Sequence, residues 1–115
     1  MDEILEQTLL YDFYGELLTE HQQKIYEDVV FNDLSYSEVA KEQGISRQGI
    51  YDLIKRINRI LTGYEEKLHL VEQFLRNREL ASQIHVLTEH YLADRNLEDV
   101  YEIRRLSAQM MELQN

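Results

Sequence analysis

One short stretch of this chain constrains its fold more than any other. Ser35-Tyr36-Ser37-Glu38 is a capping box, in which the serine hydroxyl and the glutamate side chain satisfy the first free N–H groups of a helix. Gly44 then stands where a helix stop needs left-handed dihedrals. Ser46 is a cap for another helix. A short helix, a tight turn and a second helix docked on the first make a helix-turn-helix. The spacing predicts a first helix from Ser35 to about Gln43 and a second starting at Ser46. Ala40 is the small residue where the two cross, and Ile45 is expected to pack the corner. Val39, Ile50, Leu53, Ile54, Ile57 and Leu61 supply the shared core.

Helical periodicity extends over the rest of the chain. Among 115 residues there is no Pro and there are 4 Gly, a composition that disfavours a many-turned β fold. A helix is expected from about Asp2 to Tyr14, ended or bent at Gly15. Thr19-Glu20-His21-Gln22 is another capping box. Its helix runs to about Phe31, with Ile25, Tyr26, Val29 and Val30 inward and a turn at Asn32-Asp33. The helix that starts at Ser46 is expected to continue past Gly63 through Tyr64, Leu68, Val71 and Phe74. Gly63 is its weak point, costing about 1 kcal/mol against Ala in a helix interior. Two further helices are expected, from about Arg78 to Ala93 and from about Leu97 to Leu113, the latter capped by Asn96. The chain therefore reads as all-α, with a helix-turn-helix domain over residues 1–62 and a helical C-terminal extension over 63–115.

Composition narrows the chemistry. With no Cys, neither disulfides nor thiolate zinc sites are expected. Met1-Asp2-Glu3 lacks the positive start of a secretory signal, and no stretch approaches the roughly 20 apolar residues of a membrane span. A cytoplasmic home follows as the expectation. Glu66 and His69 have the E-x-x-H spacing of di-iron bundles, but such a site needs two copies and further carboxylates. His85 and His90 do not share a helical face. No metal, no cofactor and no catalytic residue is expected.

The net charge is -10, which repels phosphate on average. The distribution is uneven, however. Residues 1–45 hold 2 basic and 11 acidic side chains (net -9), residues 63–115 hold 6 and 10 (net -4), and residues 46–62 hold 4 and 1 (net +3). At 100° per residue, setting Ile50 to zero puts Ile54, Ile57 and Leu61 within about 40° of it. Gln48, Asp52, Lys55 and Arg59 fall on the opposite side, flanked by Tyr51 and Arg56. In a DNA-binding helix-turn-helix the start of the second helix reaches base edges. Here Arg47, Gln48, Tyr51 and Asp52, just after Ser46, hold those positions. Arg pairs with guanine, Gln with adenine, and Asp accepts from cytosine. Lys55, Arg56 and Arg59 would meet phosphates. Any amphipathic surface helix also has a polar outer face. What raises this one above that ordinary reading is the capped helix, glycine turn and second capped helix in succession.

Leu18 to Gln22, Leu34 to Ala40 and Gly44 to Asp52 together resemble the promoter-reading fourth region of bacterial sigma factors. Tyr11-Asp12-Phe13-Tyr14-Gly15-Glu16-Leu17-Leu18-Thr19 and Ser46-Arg47-Gln48-Gly49-Ile50-Tyr51-Asp52 resemble more narrowly the YlxM family of small bacterial proteins. The resemblance implies a sigma-region-4-like or winged-helix-like core of three or four helices. It also implies a regulatory protein linked to the signal recognition particle, with the targeting GTPase or its receptor as partner. The chain departs from a true sigma region in its acidity and in Asp52 on the reading face.

Two functions fit these residues. One is a DNA-binding regulator. The other is a protein-interaction module that modulates the targeting GTPase without binding DNA, its acidic helices suited to a basic partner. Val100, Ile103, Leu106, Met110 and Leu113 give the final helix an apolar stripe, and a homodimer is expected from it.

Overall fold

A computed structural model describes residues 2–113. It holds six α-helices and, among the described residues, no strand: α1 (Glu3–Tyr14), α2 (Glu20–Tyr26), α3 (Tyr36–Gln43), α4 (Arg47–Leu68), α5 (Leu70–Asp94) and α6 (Leu97–Leu113). The protein is all-α, as the absence of proline and the capping signals require. None of these helices is long and apolar enough to cross a membrane.

The chain divides into two compact units, Met1–His69 and Leu70–Asn115. Helix α4 runs unbroken through Gly63, where a side chain would meet nothing within 4 Å. Its end is His69, at φ 57° and ψ 28°, whose N–H closes on the Glu65 carbonyl at 2.9 Å. Helix α5 restarts at once with Leu70. The expectation of one helix through Phe74 and another from Arg78 is thereby corrected. A non-glycine residue in the left-handed region supplied the break, and local sequence carries little warning of that.

In the first unit, the caps act as the residue types demand. The Asp2 carboxylate accepts from the Ile4 N–H (2.9 Å). Both capping boxes close: Thr19 with Gln22, and Ser35 with Glu38. Gly44 (φ 70°, ψ 28°) ends α3, and the Gly44 and Ile45 N–H groups both close on the Ala40 carbonyl. Ser46 Oγ accepts from the Gly49 N–H at 2.9 Å and starts α4. Helix α4 is the spine against which α1, α2 and α3 pack. Ile50, Ile54, Ile57 and Leu61 form its buried stripe, joined by Tyr14, Ile25, Tyr26 and Val39. Full burial of an aliphatic side chain of this size contributes about 1.5–3 kcal/mol. Two tyrosine hydroxyls add direction: Tyr26 donates to Asn58 Oδ1 (2.9 Å) and Tyr14 to Glu65 Oε1 (2.5 Å).

Helix α2 ends in a wider turn, Glu27–Phe31, closed by an i→i+5 bond from the Asn32 N–H to the Glu27 carbonyl. The extra residue rotates the register. Val29 and Val30 are therefore only half-buried, whereas Asp28 is buried. Its carboxylate accepts from Asn32 Nδ2 and Lys24 Nζ. Asp33 follows in the left-handed region at φ 57°.

The second unit is a hairpin of α5 and α6, packed on each other. Arg95 (φ 58°) turns the chain, and the Asn96 carboxamide oxygen caps α6 by accepting from the Glu98 N–H at 3.0 Å. Leu80 and Leu106 are buried, and Arg76 donates to Gln109 across the two helices at 3.2 Å. Asp99 is buried in the first turn of α6, where the helix dipole favours its charge.

Candidate nucleic-acid interface

The second helix of the helix-turn-helix is α4. The Ser46 hydroxyl is spent on its cap. Gly49 is pressed between that hydroxyl and the Ile45 side chain, 3.2 and 3.4 Å from where its own Cβ would lie. Ile45 thus folds over the helix start, but it leaves 43% of its surface exposed. The expectation that it packs the corner of the core is corrected: the turn at Gly44 carries it along the rim, over a glycine too small to cover it. Val39, Ala40, Ile50 and Ile54 are buried as expected.

Arg47, Gln48, Tyr51, Asp52, Lys55, Arg56 and Arg59 are all exposed. Gln48, Asp52, Lys55 and Arg59 lie opposite the buried stripe of α4, Tyr51 and Arg56 flank them, and Arg47 stands at the helix start. Gln48 Nε2 donates to Asp52 Oδ1 at 3.1 Å, one turn on. Lys55 Nζ lies 5.4 Å from the centroid of the Tyr51 ring, a cation–π distance. Among the described residues, no ion pair engages Arg47, Arg56 or Arg59. Three guanidinium groups are therefore exposed outside any ion pair, on a chain of net charge -10.

Sequence reasoning missed Tyr36. This first residue of α3 meets Tyr51 edge to face, ring centroids 6.0 Å apart. Tyr36, Arg47, Gln48 and Tyr51 line an open hollow of about 520 Å³ at the start of α4. The available signal was position: the first helical residue after the Ser35 cap is brought beside the start of the second helix by the Gly44 turn.

These features define the class, a small helix-turn-helix protein whose second helix offers a cationic outer face. The family follows: the chain belongs to the UPF0122 family, described as "Putative helix-turn-helix protein, YlxM / p13 like", whose model matches residues 1–104. It is 48% identical over 84 residues to a UPF0122 protein of Acetivibrio thermocellus, covering 73% of this chain and 72% of that one. It is 46% identical over 88 residues to a UPF0122 protein of Caldanaerobacter subterraneus (76% and 73% covered). With a UPF0122 protein of Clostridium kluyveri it is 36% identical over 104 residues (90% and 94% covered).

Proposed function

We propose that this protein is a DNA-binding regulator that lays α4 in the major groove. Arg47, Gln48, Tyr51 and Asp52 would meet base edges, and Lys55, Arg56 and Arg59 would meet phosphates. The observation that carries the reading is the exposed, unpaired run of Arg47, Arg56 and Arg59 on an otherwise anionic chain. Phosphate contacts supply most non-specific affinity, so even a random duplex should bind at low salt. Titrating labelled duplex DNA with the protein at several salt concentrations tests this. Affinity that rises as salt falls, and drops with Lys55→Glu, supports it. Absence of affinity at low salt, or an Arg47→Ala variant that binds unchanged, refutes it.

The resemblance to the YlxM family supports placing that regulation beside the signal recognition particle. The strongly acidic remainder of the chain favours a second reading, in which the protein acts on the targeting GTPase or its receptor by protein contacts alone. Pull-down with that GTPase, followed by GTPase assays with and without the protein, separates the two. The expected homodimer is checked by sedimentation.

A further inference from the structure

Away from α4, the first unit has a groove between α1 and the wide turn that ends α2. Its floor is the Tyr11 ring, stacked on Tyr26 at 5.4 Å and 16° and tilted against Phe31 at 5.3 Å. Gly15 makes this floor possible: a Cβ there would stand 3.0 Å from the Tyr11 ring. The backbone carbonyl of Gly15 is held by Gln23 Nε2 at 2.8 Å. Two adjoining hollows, of about 320 and 360 Å³, share Tyr11, Asp12 and Glu27. Phe31 edges one and keeps 38% of its surface exposed; Glu16 edges the other.

The rim is anionic and has no counter-ion of its own. The Tyr11 hydroxyl donates to Glu27 Oε1 at 2.6 Å, a neutral donor that leaves the carboxylate its charge. Among the described residues, Asp12 and Glu16 have no hydrogen bond or ion pair through their side chains. Only two basic residues lie in the first 45, and one of them, Lys24, is turned onto Asp28 (3.4 Å) and Glu42 (3.9 Å). An aromatic floor beneath uncompensated carboxylates suits a planar cation better than a point charge. A guanidinium can lie on the ring face while its fork meets a carboxylate, whereas an ammonium cannot do both in the same geometry.

We infer that this groove docks an arginine-bearing segment of a partner protein, with Tyr11 and Phe31 under the guanidinium planes and Asp12, Glu16 and Glu27 as their counter-ions. Two hollows side by side take two arginines of one segment. This surface shares no residue with the cationic face of α4, so the inference stands whether or not α4 binds DNA.

The test uses the full chain and a fluorescein-labelled dodecapeptide of alanine and serine with arginine at every third position, read by anisotropy at low salt. The same peptide with lysine at those positions is the comparison. Asp12→Asn with Glu16→Gln should weaken the arginine peptide about fivefold or more, while Glu89→Gln with Glu112→Gln, the same charge change elsewhere, should leave it within about twofold. The lysine peptide should bind more weakly than the arginine one. Circular dichroism of both double variants confirms that they fold. The inference is overturned by no binding, by equal losses in the two double variants, or by equal binding of the two peptides. Sedimentation showing that Asp12→Asn with Glu16→Gln dissolves a self-association would likewise overturn it, making a second copy's α4 the occupant.

Discussion

Gln48 Nε2 donates to Asp52 Oδ1 across 3.1 Å, one helical turn along the outward face of α4. The carboxylate orients the amide but also sets a negative charge on the face that carries Lys55, Arg56 and Arg59. Asp52→Asn keeps an acceptor for Gln48 and removes only that charge. It should raise affinity for a random duplex about fivefold, the size of one like-charge contact at a hydrated surface. Anisotropy against labelled DNA, with wild type and variant in the same buffer, reads the change.

Arg59 lies farther along the same face, beyond the residues placed at base edges. Arg59→Ala should weaken every duplex alike and lower the slope of log affinity against log salt by about 0.9, the value of one phosphate contact. A loss confined to one sequence would show that Arg59 reads bases instead.

Gly44 and Gly15 should both resist substitution, for different reasons. At Gly44 a Cβ would meet nothing within 4 Å, so Gly44→Ala costs only the left-handed backbone at φ 70°, about 1–2 kcal/mol. Asn tolerates that region, and Gly44→Asn should recover part of the loss. At Gly15 the backbone is ordinary helix at φ -57°, and the penalty comes from the Tyr11 ring. Gly15→Asn should therefore recover nothing relative to Gly15→Ala. Urea unfolding of the four variants distinguishes backbone strain from crowding.

Burial pushes the Tyr26 hydroxyl up to about 12, from an ordinary value near 10. Burial, followed by the hydrogen bond to Glu27 and that carboxylate's charge, also raises Tyr11. The folded state thus holds these protons more tightly than the unfolded chain. Their contribution to stability is whole below pH 10 and is lost as pH rises above it. For the buried Tyr26 the loss is up to about 1.4 kcal/mol per unit between 10 and 12, and it is less for Tyr11, whose partial exposure lets solvent screen the effect. Tyr26→Phe should flatten the alkaline part of the stability curve. It should also lower stability at neutral pH by about 1 kcal/mol, because Asn58 Oδ1 loses its donor. Denaturation midpoints at a series of pH values measure both effects.

Much of the first unit was legible because its signals are local. A capping box, a glycine in the left-handed region and an aliphatic stripe at helical spacing act within a few residues of themselves. They located α2, α3, the turn at Gly44 and the buried side of α4. The same periodicity identified the outward residues from Gln48 to Arg59, since one face of an amphipathic helix follows from the other.

Residues distant in sequence had to be brought together before the rest could be seen. His69 ends α4 although neither glycine nor proline announces it. The wide turn after Tyr26 buries Asp28 in place of the valines that follow. Tyr36 joins Tyr51 only because two helices cross, and Tyr11 meets Glu27 and Phe31 only because α1 lies beside the end of α2. Sequence determines where a helix starts, which side of it is apolar and where its charge lies. Packing decides which side chains from different helices share a surface, because that depends on crossing geometry and on space such as the gap Gly15 leaves for a ring.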